Sequence, residues 1–169
     1  MSISMYAASV PVFNQMLDSL SDVLKKAEAH ATAKNIPAEN FLQARLFPDM
    51  LALTRQVQIA ADFAKGVTGR LAQVELPVYE DTEQSFADLQ ERIAKTKAFI
   101  ATLDASKFEG SETRNIVLRP GTPKEQTFSG QAYLLNYGLP QFFFHVTTAY
   151  ALFRHNGVEI GKKDFMGLR

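Results

Sequence analysis

Histidine changes charge near neutral pH and is the commonest metal ligand, and this chain of 169 residues has three, His30, His145 and His155. His145 follows Phe142 by three positions and precedes Ala149 by four, which puts it on or beside the inward face of a helix. It is the leading pocket candidate. His155 stands one long step further on, about 15 Å along a straight helix and rotated by about 80°, so His145 and His155 cannot chelate one ion together. His155 is expected to join Arg154 and Asn156 in holding a helix end, with a place in the pocket as the alternative. His30 falls near the end of another helix, where a cationic ring complements the helix dipole.

The side chains that could accompany His145 are polar and mostly uncharged. Thr148 lies one turn later on the same side, and Tyr150 belongs to the same segment. Gln56 borders an apolar stripe on an earlier helix and can approach from across the core. A hydroxyl and an amide do not make a typical divalent-metal site, so hydrogen bonding is expected at His145. No metal is expected, although a zinc or nickel ion, if one were held, would be held at His145. Near Gln56, the side chains Arg55, Gln58, Asp62 and Lys65 line a pocket wherever they face inward. Asp62 and Lys65, three apart, read as a surface ion pair worth under about 1 kcal/mol.

The commonest catalytic signatures are missing. There is no phosphate-cradling glycine loop, no Gly-x-Ser-x-Gly elbow and no His-Glu-x-x-His pair. Phe142, Phe143 and Phe144 with Tyr137 and Tyr150 could suggest base stacking, but three consecutive aromatics on a helix face three directions. Core packing and a partner interface explain them better.

Four amphipathic segments must position these residues. Val10, Phe13, Leu17, Leu20, Leu24 and Ala27 form the stripe of a first helix over 10–33, with Pro11 in its first turn. Leu46, Met50, Leu53, Val57, Ala60, Ala64, Val67 and Leu71 predict a second over 48–72, with Pro48 at its start. The cleanest stripe, Phe86, Leu89, Ile93, Thr96, Ile100 and Leu103, predicts a centrally packed third helix capped by Asp81 or Thr82. The fourth runs from Gln131 or Pro140 to Asn156 and stops at Gly157. Between the third and fourth, 115–118 and 124–128 predict a short hairpin or extended insertion. The segment 157–169 reads as an irregular tail pinned by Phe165 and Met166. The expected fold is all-α, an antiparallel four-helix bundle in a single domain over 1–169.

Composition narrows the function classes. Lys plus Arg and Asp plus Glu both number 18, so no whole-protein field gathers nucleic acid or anionic lipid. With no cysteine, disulfides, zinc-thiolate centres and thiol nucleophiles are excluded. No run is apolar enough for a membrane span and the N-terminus lacks a signal-peptide pattern, so a cytoplasmic protein is expected.

The segments Pro48-Asp49-Met50-Leu51 with Gln56-Val57-Gln58, and Phe142 to Tyr150 with Arg154-His155-Asn156-Gly157, resemble an uncharacterised bacterial family similar to the DinB/YfiT-like superfamily. Asp81-Thr82-Glu83 and Gly161 to Phe165 extend the likeness over nearly the whole chain. The resemblance implies a four-helix bundle, often dimeric, whose members commonly hold a divalent metal through one histidine of the second helix and two of the last. Some members are thiol-dependent transferases or hydrolase-like enzymes. Here the second helix has no histidine, and the residue four after His145 is Ala149, so one expected ligand of three carries over. The expected function is a homodimeric binding or interaction module for an unknown small molecule, its pocket lacking the metal triad. The alternatives are a metal-dependent transferase or hydrolase using His145, and a stress-related regulator.

Overall fold

Ser4 sets the first boundary: its hydroxyl oxygen accepts from the Ala7 amide at 3.1 Å and caps α1 (Met5–Ala33), satisfying an amide that the first turn leaves without a partner. The computed structural model describes residues 3–167. α1 starts ahead of its expected position because Met5 and Tyr6 also pack on the core, Tyr6 meeting Phe108 edge-on at 5.3 Å. Pro11 therefore lies inside the helix and not in its first turn.

A short helix that the stripe pattern does not reveal, α2 (Ala38–Leu42), buries Phe41 and Leu42. The chain then turns through 44–52, and α3 (Leu53–Leu71) begins later than Pro48. The reason is a closed loop: the Leu53 amide donates to the Ala44 carbonyl at 3.0 Å, and the Arg45 guanidinium takes the Met50 carbonyl. Leu46 and Met50 consequently leave the helical stripe, Leu46 to the surface.

α3 is the central helix, a place expected for the next one. It buries Leu53, Val57, Ala60, Ala64, Val67 and Leu71 on one side and Gln56, Gln58, Lys65 and Thr68 around the rest, the all-round burial of a helix with neighbours on every side. It packs most extensively on α4 (Phe86–Ala101) and α6 (Leu139–His155). α4 buries Phe86, Leu89, Ile93 and Ile100. Its cap is Ser85, whose hydroxyl accepts from Asp88, while Asp88 accepts from the Gln84 amide. Asp81 and Thr82 do not cap it; Asp81 is taken by arginines.

After a 3-10 turn (Ala105–Phe108), strands β1 (Asn115–Leu118) and β2 (Gln126–Ser129) form an antiparallel hairpin, with Asn115 opposite Ser129 and Leu118 opposite Gln126. Alternation sends Ile116 and Leu118 inward. The two starts read for the last helix are both real. The path is helical from α5 (Gly130–Ala132), widens into a π turn (Tyr133–Gly138) and continues as α6. Pro140 donates no hydrogen bond, and its ring excludes the carbonyl four residues earlier; a widened turn accommodates both. Gly138 lets this junction approach α3, since a Cβ there would fall 2.6 Å from a Val67 methyl.

Gly157, at φ +86°, ends α6 as expected. The tail is more ordered than expected: α7 (Lys162–Met166) docks on α1. The Ser19 hydroxyl reaches the Asp164 and Phe165 carbonyls, Lys26 pairs with Asp164, and the Gln15 amide donates to the Met166 carbonyl. The chain is thus predominantly helical, with one small hairpin. No helix among the described residues is long and apolar enough to cross a membrane.

Candidate functional site

α3 and α6 bring Gln56 and His145 together. The His145 Nδ1 lies 2.7 Å from the Gln56 Oε1, and the Gln56 Nε2 donates to the Leu51 carbonyl at 3.0 Å. That second bond fixes which end of the amide faces the histidine. Since an amide oxygen only accepts, Nδ1 carries the proton and Nε2 is left with its lone pair. Phe63 stacks on the imidazole at 6.0 Å and Phe144 meets it edge-on at 5.2 Å. Burial, helped by the nearby Arg55 charge, pushes the His145 pKa below the ordinary histidine value, so the ring is neutral near pH 7.

The other expected site residues scatter. Thr148 is buried beside His145, but its hydroxyl donates back to the Phe144 carbonyl at 2.7 Å. Tyr150 turns to the tail, edge-on to Phe165 at 5.6 Å. His155 is exposed in the last turn of α6, while Arg154 and Asn156 bond the Val158 and Leu152 carbonyls. His30 sits in the last turn of α1 against Phe41. The three phenylalanines do diverge: Phe142 is enclosed, Phe143 half-buried and Phe144 exposed.

A second polar cluster surrounds Arg92, whose side chain is fully enclosed. Nη1 donates to the Glu80 carbonyl at 3.0 Å and to Glu83 at 2.9 Å; Nη2 donates to Asp62 at 3.0 Å and Asp81 at 3.2 Å. Arg55 also binds Asp81 and donates to Gln58 at 2.6 Å, and Gln58 donates to Glu83 at 2.6 Å. Lys65 is buried, paired with Asp62 at 3.0 Å and lying over the Tyr79 ring at 4.1 Å. The Asp62–Lys65 pair is therefore the open edge of this network, with Lys65 buried and Asp62 42% exposed, and not an isolated surface pair. Burial pushes the Asp81 carboxyl up, but the hydrogen bond and charge of Arg55, with the charge of Arg92, bring it below the usual range.

Arg92 was legible in principle. It stands three after Leu89, beside the apolar stripe, and the preceding connection carries Glu80, Asp81 and Glu83. A lone arginine at a core edge below several acids signals a buried ion cluster.

The family described as a domain of unknown function, DUF1993, matches residues 5–166. The chain belongs to that family. A solved structure of a DinB family member protein from Shewanella denitrificans is 36% identical, with a TM-score of 0.91, covering 98% of this chain and 93% of that one. The fold of this DUF1993 chain is thus DinB-like, as the segments around Gln56 and His145 suggested. No curated protein matches it.

The metal implied by the DinB-like resemblance does not fit the donors of this DUF1993 chain. His145 could offer only its Nε2, and the groups adjacent to its ring are the Phe63 and Phe144 rings, which supply no ligand atom. No three His, Asp or Glu side chains among the described residues converge to hold an ion. Zinc sites typically take at least three protein ligands of the thiolate, imidazole or carboxylate kind.

Proposed function

We propose that this DUF1993 chain is a homodimeric binding module on an antiparallel four-helix bundle, whose pocket keeps a single neutral histidine in place of a metal triad. The observation that carries the reading is the Gln56–His145 hydrogen bond at 2.7 Å. It orients the ring, fixes the proton on Nδ1 and leaves Nε2 as an acceptor for a ligand donor. The bundle reading is supported by the four long helices α1, α3, α4 and α6, with α3 packed on α4 and α6, and α1 on α4 and α6.

Dimerisation is supported by an apolar groove beside α6, lined by Leu46, Met50, Phe143, Phe144 and Ala151. Phe144 is 55% exposed and Phe47, next to Leu46, is 64% exposed. Apolar side chains gathered this way mark an interaction surface. Sedimentation is expected to report a dimer at micromolar concentration and a monomer for Phe144→Glu; a wild-type monomer would remove the dimer from the proposal.

The metal-free reading is tested by melting the protein with zinc or nickel in modest excess. A metal that binds only the folded state raises the melting temperature by mass action. No rise is expected. A saturable rise that disappears in His145→Ala would overturn the reading in favour of a metal-dependent enzyme.

A further inference from the structure

We propose that the pocket between α3, the hairpin and the π turn binds a compact oxyanion, a phosphate or carboxylate group, through Arg70, Arg119 and Tyr133. This goes beyond the histidine pocket of the binding-module reading by assigning a second site, separated from His145 by the Phe63 ring, with its own ligand class.

The pocket holds about 190 Å3 and both arginines line it. Arg70 is half-buried, and its partner is the Tyr133 hydroxyl at 3.2 Å. Neither Arg70 nor Arg119 has a carboxylate at ion-pair distance among the described residues. Arg92, by contrast, meets three. A partly desolvated guanidinium without a counter-charge is an electrostatic vacancy that an oxyanion fills well, because its fork of donors matches two oxygens at once.

Tyr133 supplies a third donor. Its side chain is 1% exposed, and burial pushes the phenol above its ordinary pKa, so it stays protonated. Its oxygen accepts from Arg70, and its own proton has no acceptor among the described residues. Asp62 stands on the rim, and the oxygen that contacts neighbours is held away by Arg92 and Lys65, both at 3.0 Å.

The surroundings are shaped for these groups. Gly66 leaves room for the Arg70 guanidinium, since a Cβ there would lie 2.6 Å from Nη1. Arg119 turns the hairpin corner at φ +51°, a conformation uncommon for a residue with a side chain. Thr122 holds it there by bonding the Arg119 carbonyl through its hydroxyl and amide at 2.9 and 3.3 Å. Phe63, Leu118 and Tyr137 form apolar walls. The volume lies below the roughly 300 Å3 of a typical drug-sized site, so the ligand is a small phosphate ester or carboxylate and not a nucleotide.

The experiment is calorimetric titration of the full chain with inorganic phosphate, phenyl phosphate and benzoate in chloride buffer. Saturable binding of phosphate or phenyl phosphate at about 1 mM or tighter is expected, and benzoate against phenyl phosphate ranks carboxylate and phosphate. Arg119→Gln changes an exposed side chain and is expected to weaken binding about tenfold, as loss of a charge-assisted hydrogen bond does. Gly66→Ala keeps every charge and is expected to weaken it as well, by displacing Arg70. Lys163→Gln, on α7 and outside the pocket, is the control for overall charge. No saturation with any of the three anions, equal affinity in wild type and Arg119→Gln, or equal losses in Arg119→Gln and Lys163→Gln would each overturn the proposal. None of these readings involves a metal or a His145 variant, so their failure leaves the metal-free reading standing.

Discussion

Gln56 and Gln58 lie two residues apart on α3, about 200° around the helix, and they belong to two different kinds of polar site. Gln58 enters the ion cluster, where Arg92 is gripped by Asp62, Asp81, Glu83 and the Glu80 carbonyl, from α3 and from the connection before α4. Gln56 makes one bond to His145 and one to its own loop. The first cluster is over-determined: with so many partners, no single group can respond to a ligand without loss elsewhere. The second is sparse, holding the ring by one nitrogen and leaving the other available. Many charges at one place make a clamp here, and the small neutral pair holds a ring by a single hydrogen bond.

Arg92→Met is the largest way to break that contrast. It leaves Glu83, 5% exposed, without its guanidinium, while Asp62 keeps Lys65 and Asp81 keeps Arg55; removing one partner of a buried ion pair costs about 3–5 kcal/mol, and urea unfolding is expected to show it. A loss below about 0.5 kcal/mol, the range of surface changes, would mean the cluster is solvated and clamps nothing. The neighbouring position separates charge from packing. Ile93 is 2% exposed, and Ile93→Ala is expected to cost about 3 kcal/mol by leaving a cavity, with no dependence on salt; the Arg92 effect is expected to shrink as ionic strength rises, because Asp62 and Asp81 are each 42% exposed.

Gln56→Leu probes the sparse pair and is expected to cost about 1–2 kcal/mol, because the His145 N–H loses its acceptor in a buried site. No loss of stability on unfolding would show that the bond is not maintained in solution.

The smallest effect is that of pH. The folded-state pKa of His145 is lowered, so the unfolded chain binds more protons. The stability that comes from keeping the ring neutral is complete above the ordinary histidine value of about 6.5 and is lost as pH falls through the folded value. The melting temperature of wild type, relative to His145→Asn, is expected to drop between about pH 7 and pH 5. A pH-independent difference would show that His145 titrates as an ordinary exposed histidine.

Much of the fold could be read because helical stripes report burial directly. The spacing from Phe86 to Ile100 placed α4, and 115–118 placed β1. What escaped was set by contacts distant in sequence or by single hydrogen bonds. α2 is too short for a period to show. The start of α3 depends on Arg45 reaching the Met50 carbonyl, and the tail is ordered by Ser19 and Gln15 from the other end of the chain. At the candidate site, periodicity placed His145 and Gln56 on facing sides of two helices, and hydrogen bonding could be anticipated from their chemistry. The Arg92 cluster was missed because Asp81 reads as a cap and Asp62 as half of a surface pair until the fold lays the connection before α4 over that helix.

The π turn at Tyr133–Gly138 also sets a phase. Each helical residue advances the azimuth by about 100°, so deleting one residue from this turn would rewind it to an ordinary helix and swing everything on its N-terminal side by about that angle relative to α6. Tyr133 would leave Arg70, and the hairpin would be carried off its seat on Ile116 and Leu118. Length here therefore matters more than composition: side chains along the turn can be exchanged one at a time, whereas a single insertion or deletion disconnects the hairpin from the helices at one stroke.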